Sequence, residues 1–168
     1  MSLRLRPLRR DDESEVLAAH RELAADGFSF LLGFEDATTW SEHVAAWEAR
    51  GRGEIIAPLR VRGNFLVAVV DGVIVGRTSV RYGLNEFLYH EGGHVGYCVR
   101  PAFRRRGYAS EILSQALVHV RAAGVQDVLM TCDDNNIGSA AVIERAGGKL
   151  QNIVTSEAGH AVRRYWIR

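Results

Sequence analysis

Residues 99–109 read Val-Arg-Pro-Ala-Phe-Arg-Arg-Arg-Gly-Tyr-Ala and join a predicted strand to a predicted helix. The strand runs from His94 to Arg100 and stops at Pro101, which cannot donate to a sheet ladder. The helix ends at Gly124. Its apolar side chains recur with helical spacing at Ala109, Ile112, Leu113, Ala116, Leu117 and Val120. This stretch therefore sets three arginines and a glycine at the start of an amphipathic helix.

A helix start of this kind suits an anion. Its first backbone N–H groups lack partners, and the helix dipole places partial positive charge there, so a phosphate is a natural ligand. Gly107 and Ala109 are small enough to let a ligand approach the backbone, while Arg104, Arg105 and Arg106 add charge and donors. A solvated basic turn is the alternative, but the glycine between strand and helix favours anion binding.

Two more helices are predicted nearer the N-terminus, each beginning with a capping box. Asp12 with Glu15, and Thr39 with Glu42, have the spacing in which two side chains satisfy free N–H groups at a helix start. Apolar stripes follow both pairs, at Val16, Leu17, His20, Leu23 and Ala24 and then at Trp40, Val44 and Trp47. We interpret both stripes as core-facing and residues 50–63 as a polar loop.

The clearest strand signal is a hairpin, in which Phe65–Val70 and Val73–Val75 flank an Asp-Gly pair suited to a type I′ turn. The remaining predicted elements are strands at residues 3–8, 128–132, 149–154 and 161–167 and a helix at residues 136–146. The order is therefore β-α-α-β-β-β-α-β-α-β-β, with one crossover long enough to join parallel strands. We predict a single α/β domain over residues 1–168, with a mixed sheet and helices on both faces.

Composition excludes several classes of protein. Of the 168 residues, 47% are hydrophobic and 24% charged, which excludes a disordered chain or a coiled coil. A net charge of +1 gives no general attraction to nucleic acid or to an anionic membrane. Cys98 and Cys132 are too few for a disulfide scaffold and suit a reducing compartment. The sequence has no signal-peptide pattern and no membrane-spanning run, so we expect a soluble, cytoplasmic protein.

Two motifs resemble those of the GNAT N-acetyltransferases. Arg104-x-x-Gly107-x-Ala109 resembles the Arg/Gln-x-x-Gly-x-Gly/Ala loop of that family. Asn136-x-x-Ser139, followed by Glu144-Arg145-x-Gly147, resembles the family's second motif. Residues 92–150 carry the specific resemblance, and the element order fits the family over the whole chain. The resemblance implies a mostly antiparallel sheet of about seven strands and direct transfer of an acetyl group from acetyl-CoA to an amine.

The resemblance also implies where acetyl-CoA binds. In the family, backbone amides of the loop hold the pyrophosphate, the preceding strand pairs with the pantetheine arm and polarises the thioester carbonyl, and the asparagine contacts the pantetheine. By this resemblance, the backbone N–H of Cys98 or of Val99 would stabilise the negative charge that develops on the thioester carbonyl oxygen. The cofactor-binding residues predicted on this basis are Tyr97, Cys98, Val99, Arg104, Arg105, Arg106, Gly107, Tyr108, Ala109, Ser110, Asn136 and Ser139.

The catalytic groups depart from the family pattern. Where many relatives have a tyrosine acid this chain has Ile143, and where some have a glutamate base it has Gly93. Glu91 is the first candidate base, on the same strand face as Gly93 if the strand extends that far, and His94 is a second catalytic candidate. Glu86 and His90 are alternative bases, and the substitute acids are Tyr97, Tyr108 and Tyr165.

No metal site is predicted. His90 and His94 have a metal-like spacing only on a helix, and Gly92 and Gly93 between them argue against one.

The resemblance implies that the acceptor is an amine of a small molecule or a peptide, bound opposite the CoA between the first two helices and the late strands. We expect it to bind among residues 28–36, 84–91 and 155–165, where aromatic and acidic side chains are available: Phe28, Phe30, Phe34, Tyr165, Trp166, Glu35, Asp36 and Glu91. The alternative function is an acyl-CoA-binding module without turnover. A homodimer could form through the closing strands, with Tyr165 and Trp166 at the interface.

Overall fold

The computed structural model of the chain describes residues 2–54 and 60–168. Its helices and strands are β1 (Arg4–Pro7), α1 (Glu13–Ala24), α2 (Trp40–Gly51), β2 (Gly63–Val70), β3 (Val73–Arg81), β4 (Val95–Val99), α3 (Tyr108–Ala122), β5 (Val128–Asp133), α4 (Ile137–Arg145), β6 (Lys149–Thr155) and β7 (Ala161–Ile167). The predicted element order is confirmed. Part of the predicted loop at residues 50–63, namely residues 55–59, lies outside the described residues.

The strands form one mixed sheet in the order β1-β2-β3-β4-β5-β7-β6. The neighbours β4 and β5 are parallel, and the other neighbouring pairs are antiparallel. Apolar side chains of α1 and α2 are buried on one face of the sheet, and those of α3 and α4 on the other. The predicted fold class is therefore confirmed.

Local signals in the sequence account for several of these elements. Asp71 and Gly72 have φ angles of 49° and 82°, as the predicted hairpin turn requires. The capping box at α2 is present, because the Thr39 N–H donates to the Glu42 carboxylate over 2.9 Å and the Glu42 N–H donates to the Thr39 hydroxyl over 3.2 Å.

The capping box predicted at α1 is wrong. The Asp12 carboxylate instead accepts from the Arg9 N–H and from the Arg6 guanidinium, each over 2.7 Å. Glu15 accepts the Ile74 N–H over 2.8 Å and so ties α1 to the β2–β3 hairpin. Neither carboxylate therefore caps α1: Asp12 bonds to residues that precede it, and Glu15 bonds to a strand that is distant in sequence.

The strand expected to reach Glu91 is interrupted by a π-helical turn over Leu88–Gly92. The prediction that Gly92 and Gly93 prevent a helix between His90 and His94 is therefore wrong for Gly92, which is part of the π-helical turn. Gly93 closes the turn with φ 69°, and a Cβ atom on it would lie 2.7 Å from the Leu129 carbonyl oxygen. Only a glycine fits at that position without displacing β5.

The turn is held from both sides by arginines. The Arg164 guanidinium donates to the Tyr89 carbonyl over 2.7 Å, and that of Arg81 donates to the Gly92 carbonyl over 3.1 Å. These bonds fix the position of Glu91 between them.

Candidate active site

A cleft opens where the parallel strands β4 and β5 separate. Their pairing is limited to Val95 opposite Met130, whereas β4 pairs with β3 along its whole length. The cleft has a volume of about 670 Å³. Seven of the predicted cofactor-binding residues line it: Tyr97, Cys98, Val99, Arg104, Ala109, Asn136 and Ser139.

Backbone groups of β4 face this cleft in alternation. The Arg81 N–H donates to the His94 carbonyl and the Arg100 N–H to the Val75 carbonyl, which directs the even-numbered residues of β4 toward β3. The N–H groups of Tyr97 and Val99 therefore point toward the cleft, and that of Cys98 points toward β3. Of the two donors predicted for the thioester oxygen, the N–H of Val99 faces the cleft and that of Cys98 does not.

The arginine turn leads from β4 into α3. Gly107 is the N-cap of α3 with φ 82°, and Arg105 has φ 62°, so the chain reverses sharply before the helix begins. Gly107 places no side chain over the first turn of α3, and nothing lies within 4 Å of where its Cβ would be. The N–H groups at the start of this 15-residue helix are therefore open to an anion.

The three arginines have different surroundings. Arg104 lines the cleft, donates from Nε to the Val99 carbonyl over 3.2 Å, and pairs with Asp26 at 3.2 Å. Arg106 lies over the Phe103 ring with Cζ 5.7 Å from its centre, and Arg105 is exposed. Five of the predicted residues do not line the cleft. They occupy this turn and the first turn of α3, and they are Arg105, Arg106, Gly107, Tyr108 and Ser110.

The opposite wall of the cleft is the start of α4. The Asn136 side-chain oxygen caps this helix by accepting the Ser139 N–H over 3.1 Å. The Ser139 hydroxyl lies 2.9 Å from the Tyr97 hydroxyl, which joins α4 to β4 across the cleft. Because the cap uses only the oxygen of Asn136, its amide NH₂ remains available as a donor.

The cleft continues into an inner chamber of about 220 Å³. Phe28, Tyr97, Asp133, Asn136 and Ser139 line both spaces. Glu91 borders the chamber, together with Thr131, Cys132 and His160. The structure therefore brings the first candidate base to the inner end of the cleft.

Glu91 is half-buried and held in place by its neighbours. Its Oε1 accepts the Glu157 N–H over 3.2 Å, and its backbone carbonyl accepts the Thr131 hydroxyl over 2.8 Å. Close by, His160 Nε2 lies 3.3 Å from the Asp133 carboxylate. The sequence does not single out Asp133, Glu157 or His160. Asp133 reaches the chamber at the end of β5, and the chain reversal between β6 and β7 brings His160 to the chamber and Glu157 to Glu91.

The structure does not bring His94 to the chamber. Its ring is 5% exposed, and its Nδ1 accepts the Leu129 N–H over 2.9 Å. Burial lowers the pKa of His94 to about 4, so the ring is neutral at physiological pH. It acts as a hydrogen-bond acceptor that links β4 to β5.

Several aromatic groups predicted for the acceptor are core residues. Phe30 and Tyr165 are fully buried, and the Tyr165 hydroxyl donates to Glu144. This excludes both from ligand contact and removes Tyr165 from any dimer interface. Phe28, which is 45% exposed, lines both the cleft and the chamber.

Neither cysteine is activated as a nucleophile. Burial raises the pKa of both thiols, that of Cys132 to about 11.

Comparison with known proteins defines the family. A family model described as "Acetyltransferase (GNAT) domain" matches residues 2–149. The chain belongs to this family. Among curated protein sequences, none matches this GNAT chain.

Solved structures share the GNAT fold at low sequence identity. RimJ of Mycobacterium smegmatis, in complex with CoA-disulfide, has a TM-score of 0.76 at 19% identity, covering 98% of this chain and 81% of RimJ. An acetyl transferase of Salmonella typhimurium that modifies the N-terminal serine of ribosomal protein L7/L12 has a TM-score of 0.72 at 17% identity, covering 99% of this chain and 95% of that enzyme. YncA of Salmonella typhimurium, with its cofactor acetyl-CoA, has a TM-score of 0.67 at 15% identity, covering 100% of this chain and 94% of YncA.

Besides Gly93, a second position of this GNAT chain departs from the family pattern described above. Ile143, at the usual tyrosine position, is fully buried between α4 and the sheet. Of the three tyrosines considered as substitutes, Tyr165 is in the core and Tyr108 packs beside Ile112. Tyr97 is the one of the three that lines the cleft.

Within residues 2–54 and 60–168, no helix is both long and apolar enough to cross a bilayer. The same residues contain no cluster of three or more His, Cys, Asp or Glu side chains that could hold a metal ion.

Proposed function

We propose that this GNAT protein is an N-acetyltransferase, which moves the acetyl group of acetyl-CoA to a primary amine by direct attack. One observation carries the proposal. The β4–β5 cleft runs from the open N–H groups of α3, past the outward-facing backbone of β4, to a chamber bordered by Glu91. Along the cleft, the start of α3 would thus bind the pyrophosphate of acetyl-CoA, the backbone of β4 would lie beside the thioester carbonyl, and Glu91 would lie beside the acceptor amine.

The residues present fit acetyl-CoA, which supplies the activated acetyl group. The start of α3 and Arg104 suit the pyrophosphate, because both offer hydrogen-bond donors and positive charge. Of the two cleft-facing N–H groups of β4, that of Val99 lies beside Arg104, whose Nε is 3.2 Å from the Val99 carbonyl, so this N–H and the amide of Asn136 suit the pantetheine. The N–H of Tyr97 lies nearer the chamber and is proposed to stabilise the oxygen charge that develops at the thioester carbonyl, where a fixed donor lowers the barrier.

Glu91 is proposed as the general base. The attacking amine must be neutral, and a free alkylamine resembles lysine, whose pKa is near 10.4. Glu91 is positioned by Glu157 and borders the chamber, so it can take a proton from the amine directly or through one water. The nitrogen then bonds to the acetyl carbon as the bond to sulfur breaks.

Tyr97 is proposed to stabilise the departing sulfur. Burial raises the pKa of this phenol, which keeps its proton in place as a donor. The Tyr97 hydroxyl lies 2.9 Å from the Ser139 hydroxyl, so Ser139 can accept a hydrogen bond from Tyr97, or donate one and leave the Tyr97 proton directed toward the cleft.

In Tyr97→Phe we expect kcat to fall about tenfold while acetyl-CoA affinity is retained. Ser139→Ala is the control, because it removes the same hydrogen bond and leaves the phenol.

The acceptor side is acidic. An open basin of about 650 Å³ beside the chamber, which we call the acidic basin, is bordered by Glu86, Glu91 and Glu157. These charges attract a cationic amine of a small molecule or peptide before it loses its proton. The free thiols Cys98 and Cys132 support a cytoplasmic location, where thiols remain reduced.

One observation favours the alternative of acyl-CoA binding without turnover. The usual tyrosine position is occupied by the buried Ile143, so the leaving thiolate lacks that donor. Turnover with any amine decides between the two functions.

The first experiment is titration of the purified protein with acetyl-CoA by calorimetry, with CoA and ATP alongside. Gly107→Glu and Gly107→Gln share the strain of a side chain at positive φ and differ in charge. We expect micromolar acetyl-CoA binding, weakened by glutamine and abolished by glutamate. Failure of wild-type protein to bind any CoA species contradicts both functions.

The second experiment measures release of the CoA thiol with a panel of amines. Accelerated release with at least one amine, together with mass-spectrometric detection of its acetylated product, supports N-acetylation. Tight acetyl-CoA binding with no product from any amine supports the binding module.

A further inference from the structure

A second cavity lies on the α2 side of the π-helical turn. This arginine pocket, as we call it, has a volume of about 270 Å³. Its walls include Trp47, Arg50, Arg60, Arg81, Asn85 and Phe87. It is separate from the arginine turn that precedes α3.

The three arginines of the pocket lack acidic partners. In residues 2–54 and 60–168, no carboxylate lies within 4 Å of the guanidinium of Arg50, Arg60 or Arg81. Residues 55–59 read Ile-Ile-Ala-Pro-Leu and contain no acidic side chain. Other arginines of the chain, such as Arg6 and Arg100, are paired with carboxylates.

The protein holds two of these guanidinium groups, those of Arg50 and Arg81, in fixed positions. Arg50 donates from Nε to the Val61 carbonyl over 2.8 Å and stacks on Trp47, with Cζ 4.6 Å from the ring centre. Arg81 donates to the carbonyls of Gly92 and Gly93. Burial and the nearby Arg77 and Arg50 lower the pKa of Arg81 to about 10, as expected for cations crowded together. A bound anion would relieve this repulsion.

Arg81 also connects this pocket to the chamber. Its guanidinium lies over Gly96, with nitrogens 3.5 and 3.6 Å from the position of a Cβ on that glycine. Gly96 itself borders the chamber. Asn85 and Phe87 line both the arginine pocket and the acidic basin. Positive and negative surfaces therefore adjoin at the turn that carries Glu91.

We infer that the acceptor amine carries an anionic group, a carboxylate or a phosphate, which binds the arginine pocket. This inference rests on the proposed N-acetyltransferase function and specifies its substrate class. The guanidinium groups hold the anion by charge-assisted hydrogen bonds, while the amine of the same molecule reaches Glu91. Such an acceptor matches the charge pattern on both sides of the turn.

Binding of the anion is tested first, with inorganic phosphate and with acetate as separate probes. Site-resolved NMR signals of the Arg50 Nε–H and the Trp47 indole are followed, because phosphate is also expected to bind the arginine turn before α3. We expect shifts in wild type and about tenfold weaker binding in Arg60→Gln, whose side chain is exposed. Arg52→Gln is the matched control, because Arg52 pairs with Glu54 at the end of α2 and does not line the pocket.

The probe that shifts these signals at lower concentration distinguishes phosphate from carboxylate. No shift at Arg50 or Trp47 with either anion up to about 50 mM overturns the proposal.

Turnover is tested with paired acceptors, namely amino acids and aminoalkyl phosphates against the corresponding amides and plain amines. We expect the anionic member of a pair to have the lower KM, and Arg60→Gln to raise that KM about tenfold with kcat unchanged. Equal KM values within every pair overturn the inference and leave N-acetylation intact. Anion binding without acetylation of any amine overturns the proposed function and, with it, the acceptor role of the pocket.

Discussion

At the scale of single residues, the rings of His43 and His94 are 3% and 5% exposed. Burial lowers the pKa of each to about 4, whereas an unfolded histidine has a pKa near 6.5. Because the folded pKa is the lower one, the stability that each neutral ring contributes is complete above about pH 6.5. It is lost as the pH falls toward 4.

His94→Asn tests this pH dependence. Asparagine offers an oxygen to the Leu129 N–H in place of Nδ1 and does not titrate. Between pH 7 and pH 5 we expect the wild type to lose about 2 kcal/mol of unfolding free energy per histidine. The variant should lose about 2 kcal/mol less, as measured by urea unfolding at both pH values. Equal losses in the two proteins would contradict a pKa of His94 that is lower in the folded than in the unfolded state.

Glu91→Gln tests the proposed base. Glutamine retains an oxygen to accept the Glu157 N–H, so the turn should keep its structure while the base is lost. We expect kcat to fall about a hundredfold with unchanged acetyl-CoA affinity, and the pH profile to lose its acidic limb.

His160→Gln is the companion variant to Glu91→Gln, because His160 also borders the chamber. If His160→Gln lowers kcat and Glu91→Gln does not, the base is His160.

At the scale of secondary-structure elements, Asn136 combines two roles at the start of α4. Its oxygen caps the helix and its NH₂ faces the cleft. Asn136→Asp keeps the cap and removes the donor, so we expect near-native stability and weaker acetyl-CoA binding. Asn136→Ala should lose about 1 kcal/mol of unfolding free energy as well. Denaturant unfolding and calorimetry together separate the two roles, and equal effects of the two variants on stability would contradict the capping role.

The π-helical turn makes a second prediction about an element. Gly93→Ala places a Cβ 2.7 Å from the Leu129 carbonyl at positive φ, and we expect a loss of about 1–3 kcal/mol of unfolding free energy. Gly83→Ala is the control, since nothing lies within 4 Å of its Cβ position. A stable Gly93→Ala protein would contradict the requirement for glycine. The same contact explains why a glutamate at this position is incompatible with the turn.

At the scale of the whole molecule, one sheet connects the arginine turn, the chamber and the arginine pocket. We propose that residues 1–168 form a single domain, and we expect one cooperative thermal transition. Acetyl-CoA at a hundred times its Kd should add about 2.7 kcal/mol, which raises Tm by roughly 5–10 °C. Differential scanning calorimetry measures the number of transitions and the rise in Tm with acetyl-CoA. In Gly107→Glu, acetyl-CoA should leave Tm unchanged. Two separate transitions would contradict a single domain.

The sequence by itself determined the element order, the hairpin turn and the start of α3. These depend on neighbours within a few positions: the Asp71-Gly72 pair sets its own φ angles, and the period of the α3 side chains sets its buried face. The arginine turn was found because its residues are contiguous from Arg104 to Ala109. Asn136 and Ser139 are predicted from the resemblance to the family's second motif, and in the structure their spacing is that of a helix cap.

Only the tertiary structure decided which groups meet at the chamber and beyond it. Glu15 does not complete a capping box at α1, because it accepts the N–H of Ile74, a partner 59 positions away that no local spacing reveals. Glu91 was selected from an assumed strand, yet it reaches the chamber through a turn held by Arg81 and Arg164. The arginine pocket joins side chains from α2, from β3 and from Arg60 in the segment before β2. Contacts between residues far apart in sequence form only when the sheet brings their elements together, and sequence periodicity does not encode them.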